Sequence, residues 1–465
     1  MHYVSTRGES PPIGFLDAVL AGLAPDGGLY VPEVWPLLSQ AEIAGFAGMP
    51  YAQVAAHVLS RFTGDSLSAD ELADITSEAY AGFTHAAVTP LRQLDPGLWL
   101  LELFHGPTLA FKDVAMQLLS RLYEHALEAR KRTLTVVCAT SGDTGGAAVE
   151  ALRGRANVRL VVLFPDGKIS EVQRRFMTTA GDANVRCIAI DGSFDDCQAI
   201  VKGLFNAQGF PQSVDLSGVN SINWARIAAQ VVYYFTAAVA LGAPHRPVAF
   251  TVPSGNFGDG FAGYVAAKMG LPIERIVLAT NSNDILAKAV ETGRYARGAV
   301  AQTQSPAMDI QVASNFERLY FDVVDREGIE TARAMRAFAD HGAIDIPPKA
   351  FAKMRELFVG AGVSEADTSR AILATLNGSG ALIDPHTAVG VAAALRVGPA
   401  RRTTPMVVLS TAHPAKFPEA VQAASGVAPR MPQSAKGLAG KPERIDRMPA
   451  DLEAVKAYIH KFAHV

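Results

Sequence analysis

Leu134-Thr135-Val136-Val137-Cys138-Ala139-Thr140-Ser141-Gly142-Asp143-Thr144-Gly145-Gly146 decides the fold. An apolar, β-branched run of six residues ends in a loop of glycines and hydroxyls. Helical spacing then follows over 147–153. A continuous apolar strand that passes through a short polar loop into a helix is the unit of a parallel sheet covered on both faces. The unit recurs. Further strands are expected at 159–164, 185–190, 248–252 and 276–280, with helices at 170–180, 194–205, 222–241 and 260–269. This alternation predicts an α/β architecture. In such sheets ligands bind beyond the carboxyl ends of the strands, so the loops after the strands are where chemistry is sought.

Three such places stand out. In the loop 140–146, amides at a helix start and neighbouring hydroxyls suit a carboxylate or phosphate; a plain strand-to-helix turn is the competing explanation. In Pro253-Ser254-Gly255-Asn256-Phe257-Gly258-Asp259-Gly260, glycines again precede a helix. They allow a phosphate nest, yet the spacing is neither that of a P-loop nor that of a dinucleotide fingerprint. A smaller phosphorylated cofactor fits this pattern. The third place is the strand end Leu409-Ser410-Thr411-Ala412-His413-Pro414-Ala415-Lys416-Phe417.

One lysine is surrounded by apolar residues: His105-Gly106-Pro107-Thr108-Leu109-Ala110-Phe111-Lys112-Asp113. A strand precedes it at 98–104, and helical spacing follows over 114–132. Pro107 and Thr108 stand where a helix would begin. Lys112 then falls near the positive end of the helix dipole, which favours a neutral amine suited to imine chemistry. A surface lysine on a helix is the alternative. A primed lysine, a phosphate nest, an anion loop and a hydroxyl at a strand end are together what pyridoxal phosphate requires.

Composition narrows the class. The chain has 465 residues, with 42 basic against 45 acidic side chains, which argues against nucleic acid or an anionic membrane as partner. Three cysteines without C-x-x-C spacing give neither a disulfide framework nor a zinc site, and no metal is expected. The first residues lack a signal pattern, and the apolar stretch 231–241 is too short to span a bilayer, so a cytoplasmic protein is expected. Residues 3–8 read as a short edge strand, 16–22 as a helix, and 39–84 as two or three short helices. Residues 301–380 read as mainly helical, 423–448 as a surface excursion, and 451–464 as a final helix.

The motifs at 105–113, 141–145, 220–226, 253–259 and 409–417, with Tyr3–Gly8, Asp26–Pro32 and Ile383–Gly390, resemble the threonine synthases. These belong to the tryptophan-synthase-β-like (fold type II) pyridoxal-phosphate enzymes. The resemblance runs along nearly the whole chain in family order. It implies two three-layer α/β units and an N-terminal, mostly helical extension. The expected divisions are 1–95 as the helical domain, 96–134 with 245–430 as the large cofactor-binding domain, 135–244 as the smaller domain, and 431–465 as a tail with a helix.

The resemblance also implies the site. Lys112 carries the cofactor and is the catalytic residue. Gly255, Asn256, Phe257 and Asp259 form the cofactor phosphate loop, and Thr411 faces the ring nitrogen. Ser141, Gly142, Asp143 and Thr144 receive the substrate's α-carboxylate. Lys168, Ser221, Asn223 and Arg226 are candidates for its phosphate, Arg226 best suited by its planar fork. The implied reaction converts O-phospho-L-homoserine and water to L-threonine and phosphate, the last step of threonine biosynthesis, in a monomer or homodimer. Three alternatives stand beside it: a phospho-lyase that eliminates phosphate without making threonine, a dehydratase or sulfhydrylase of the same fold, and a regulatory protein without turnover. The wording around Lys112 argues against the second, and retention of Lys112 against the third.

Overall fold

Two parallel sheets carry the molecule, which is a computed structural model describing residues 1–464. The smaller sheet has five strands in the order Asp446–Pro449, Val185–Asp191, Val158–Pro165, Leu134–Ala139, Leu216–Ser217, all parallel. The larger runs Phe358–Gly362, Ile273–Thr280, Val248–Pro253, Met406–Ser410, Leu98–Glu102, with Leu91–Asp95 antiparallel at the far edge. The central strands Leu134–Ala139, Val248–Pro253 and Met406–Ser410 are buried at every residue, as unbroken apolar runs between two helical layers must be.

The helix Trp224–Ala240 packs against helices Lys112–Arg130, Gly258–Lys268 and Tyr51–Thr63, and so ties the N-terminal helices to the large sheet. Nearly all of it is buried, including Trp224, Tyr233, Tyr234 and Phe235. The carboxyl ends of the Leu134–Ala139, Val248–Pro253 and Met406–Ser410 strands open on one cavity of about 840 Å³.

Several segments differ from the sequence expectation. His2–Ser5 is the middle strand of a three-stranded antiparallel sheet, between Ile13–Gly14 and Tyr30–Pro32, rather than an edge. Tyr3 anchors it, fully buried, by donating from its hydroxyl to Phe62 O at 2.8 Å. The Phe358–Gly362 strand lies within the stretch expected to be mainly helical. Two of its five residues are glycines, which weakens the strand signal. Gly360 is required there because a Cβ would run into the Ala287 backbone.

The C-terminal tail does not stand apart. Asp446–Pro449 pairs with Val185–Asp191, and helix Leu452–Ala463 inserts Val455 and Ile459 beside Ile200, Leu204 and Phe210. Arg174 grips Glu443 through two hydrogen bonds of 2.8 and 3.0 Å. The strand was not legible because an edge strand needs no apolar run. Ile459→Ala, at a fully buried position, should destabilise the smaller unit by about 2–4 kcal/mol. Urea unfolding of wild type and variant checks this; an unchanged midpoint would mean that the tail helix only rests on the surface.

Candidate active site

Lys112 is the first residue of its helix. The expected start at Pro107–Thr108 is four residues early. Asp113 reaches back instead, accepting from Thr108 N at 2.8 Å and from Thr108 Oγ1 at 2.6 Å. The segment before the lysine is zipped to the end of the Met406–Ser410 strand. Phe111 N donates to Thr411 O at 2.8 Å, His413 N to Leu109 O at 3.0 Å, and Ala110 bridges Ala412. This pairing sets Lys112 and Thr411 on the same cavity wall.

The Lys112 amine lies 3.5 Å from Asp143 Oδ2, with its side chain 11 % exposed. Its pKa is lowered, first by burial and then by the neighbouring cations Lys416 and Arg226, against the pull of Asp143. Burial is the largest cause favouring the neutral amine, and Lys112 stands at the first position of its helix, where the dipole acts in the same direction. Asp143 begins the helix Asp143–Leu152 after Gly142, whose φ of +131° suits only glycine. Burial opposes ionisation of Asp143, yet Lys416 and then Lys112 hold its carboxyl well below the usual range. Lys416 Nζ sits 2.8 Å from Asp143 Oδ1, and Gln173 Nε2 donates to the same oxygen at 3.0 Å.

In the 140–146 loop, Thr140 Oγ1 accepts from the amides of Gly142 and Gly145, both at 2.9 Å. The Gly142 amide is therefore already used, and Gly142 does not line the cavity, whereas Ser141, Asp143 and Thr144 do. Across the cavity Phe257 adopts a left-handed conformation, φ +62°, and turns the chain into helix Gly258–Lys268. The amides of Gly255 to Gly258 find no acceptor among the described residues, whereas the Asp259 amide is turned to its own carboxylate. Gly255, Asn256 and Asp259 line the cavity. The Phe257 ring instead packs into the core against Phe261 and Phe358, leaving only its backbone to serve the loop. Burial pushes the Asp259 carboxyl up to about 6, and it accepts from Gly260 N at 2.9 Å, so it orders the loop.

The four candidates for the substrate phosphate separate. Arg226 and Ser221 line the cavity. Arg226 is buried, burial lowers its guanidinium to about 10, and its Nη1 donates to Val219 O at 3.0 Å. Its Nε has no partner among the described residues. Asn223 is fully buried elsewhere: it caps its helix by accepting from Ala225 N and donates to Val19 O and Tyr123 Oη. Lys168 is exposed and outside the cavity.

Other lining residues were assigned no role from the sequence, although Arg7 and His386 fall within the motifs at 3–8 and 383–390. They include Arg7, Lys202, Arg336 and His386, the last held by Asp384 at 2.7 Å and accepting from Ala307 N at 3.2 Å. Lys416 and Gln173 were also unread, because only tertiary structure brings them to Asp143. His413 is lowered to about 4 by burial, with His105 adding to the shift, and caps a short turn through Nδ1; it is structural.

Four free amides leading into a helix, a buried guanidinium without a carboxylate among the described residues, and a buried amine form a donor set for a phosphorylated aldehyde. The comparisons with known proteins agree. Residues 2–80 match the family described as threonine synthase N terminus, 83–358 that of pyridoxal-phosphate dependent enzymes, and 387–459 that of the threonine synthase C-terminal region. The threonine synthase of Pseudomonas aeruginosa is 49% identical over 99% of this chain and 98% of its own. The chain belongs to the threonine synthase family.

Solved structures of the family superpose throughout. The pyridoxal-phosphate-bound threonine synthase of Brucella melitensis matches with a TM-score of 0.97 at 50% identity, covering 100% of both chains. Yeast threonine synthase matches at 0.93 and 38% identity, over 100% of this chain and 99% of its own. Pyridoxal phosphate is thus the cofactor of this threonine synthase-type site. Gly255→Ala places a Cβ 2.8 Å from the Ala307 carbonyl oxygen. It should weaken pyridoxal-phosphate binding about tenfold or more, a loss worth about 1.4 kcal/mol or more, as read by absorbance titration. Unchanged affinity would remove this loop from the cofactor site.

Proposed function

We propose that this protein converts O-phospho-L-homoserine and water to L-threonine and phosphate. The observation that carries the proposal is 49% identity to a threonine synthase along 99% of the chain. The donor set around Lys112 supports it. No helix among the described residues is long and apolar enough to cross a membrane.

Pyridoxal phosphate, when bound, supplies an electron sink for charge developing beside the substrate nitrogen. The free amides of Gly255 to Gly258 would bind its phosphate, with Asp259 ordering the loop, and Lys112 would hold its aldehyde carbon. The Thr411 hydroxyl, which lines the cavity, would face the ring nitrogen; a hydroxyl, unlike a carboxylate, would leave that nitrogen largely unprotonated. Ser141 and Thr144 hold the substrate's α-carboxylate. The anionic Asp143 would repel that group, and its carboxylate is already committed to Lys416. Arg226 and Ser221 orient the γ-phosphate for departure, the buried guanidinium offering a charge-assisted bond.

Displaced by the substrate amine, the Lys112 Nζ takes the proton from Cα and is placed to move one at Cβ. Water then adds at Cβ after phosphate has left, and Lys112 releases threonine. Closure of the two sheets' loops around the cavity keeps water out until that stage.

Incubation with pyridoxal phosphate and O-phospho-L-homoserine should yield threonine and inorganic phosphate in equal amounts. Phosphate with a keto acid and no threonine would replace this reading with the phospho-lyase. Lys112→Ala should lose both the visible absorption of the bound cofactor and turnover; full retention of activity would overturn the assignment. Arg226→Gln should raise KM about tenfold to a hundredfold, the equivalent of one charge-assisted bond of about 1.5–3 kcal/mol, with the cofactor spectrum kept. An unaltered KM would place the substrate phosphate elsewhere.

A further inference from the structure

Asp143 is shared unequally between two lysines. Lys416 Nζ is 2.8 Å from Oδ1, whereas Lys112 Nζ is 3.5 Å from Oδ2. Lys416 is 1 % exposed, and it also donates to Thr108 O at 2.9 Å, which fixes it in place. It does not line the cavity. A carboxylate with one close, immobile cation presents a reduced net charge to a second, more distant one.

The surroundings make this partition matter. The charged groups that bear on Lys112 are Asp143 and Lys416, the Arg226 guanidinium, and the Asp259 carboxyl across the cavity. Asp113, beside it on its own helix, is turned away and bound to Thr108. Arg226 has no carboxylate partner among the described residues, so Asp143 is the anion nearest the amine. Without Lys416, its full charge would fall on the Lys112 nitrogen.

We propose that Lys416 is a positioning residue for the chemistry at Lys112: by holding the Asp143 carboxylate, it offsets part of the charge that would otherwise keep a proton on the Lys112 nitrogen. The proposal rests on the assignment of Lys112 made above. The pair also spans the two sheets. Lys416 follows the Met406–Ser410 strand of the larger, and Asp143 follows the Leu134–Ala139 strand of the smaller.

The signs are opposite for the two partners. Lys416→Gln keeps a donor for Thr108 O but removes the cation, so Asp143 favours the protonated Lys112 nitrogen. Asp143→Asn removes the anion and leaves Lys416 and Arg226, which disfavour it. The double variant replaces a neutral ion pair by a neutral amide pair.

The test uses the cofactor-loaded enzyme. The pH titration of its visible absorption band, without substrate, and the pH profile of kcat/KM for threonine formation are measured for wild type and all three variants. The titration midpoint should rise by about one pH unit in Lys416→Gln, fall by about one in Asp143→Asn, and return to within about half a unit of wild type in the double variant. The acid limb of kcat/KM should move with it. Shifts of the two single variants in the same direction, or no shift in either, would overturn the proposal. Should Lys416→Gln not fold, Asp143→Asn decides alone: a fall supports the proposal, and a rise or no change ends it. A wild-type enzyme that makes no threonine refutes the proposed activity and leaves the substrate-free titration to judge the pairing by itself.

Discussion

A few backbone hydrogen bonds between residues 109–111 and 411–413 hold the site together. Phe111 N to Thr411 O, His413 N to Leu109 O and the Ala110–Ala412 bridge join segments about three hundred residues apart. They fix the lysine and the hydroxyl at the end of one strand. Everything else in the cavity is arranged around that seam: the 140–146 loop enters from the smaller sheet, and the 254–259 loop from the neighbouring strand of the larger. Its directional bonds leave little freedom in how Lys112 faces Thr411.

The site also concentrates buried charge. Lys112, Lys416 and Arg226 stand within one region against the carboxylates of Asp143, Asp113 and Asp259. Burying so many ionisable groups is costly unless each is hydrogen-bonded. Asp143 and Asp113 satisfy this through Lys416, Gln173 and Thr108. Arg226 does so only in part: Nη1 donates to Val219 O, while its Nε lacks a partner among the described residues. The imbalance lies on the cavity wall, where the proposed substrate phosphate brings negative charge.

Much of this was legible in the sequence. The Leu134–Ala139 and Val248–Pro253 strands announce themselves by unbroken apolar runs, and the glycine loops that follow mark the cavity. Lys112, Gly255, Asn256, Arg226 and Thr411 all meet there. What escaped has physical reasons. Phe358–Gly362 hides its strand character behind two glycines, and Asp446–Pro449 is an edge strand without an apolar face. Asn223 carries the residue type of a ligand, yet it serves as a helix cap. Lys168 sits after a strand, as a ligand should, but points to solvent. The partnership of Lys416 with Asp143 leaves no local pattern, because the two follow strands of different sheets.

The order of strands has a consequence for biosynthesis of the chain itself. Met406–Ser410 is an interior strand of the larger sheet, and Asp446–Pro449 closes the smaller one. Neither sheet can reach its final form until translation has passed these codons. A nascent chain therefore emerges from the ribosome with the Val248–Pro253 and Leu98–Glu102 strands lacking the neighbour that belongs between them. Such unpaired, apolar edges are what chaperones cover. A premature stop late in the message would leave that gap open for good and turn a small loss of length into an aggregation-prone product.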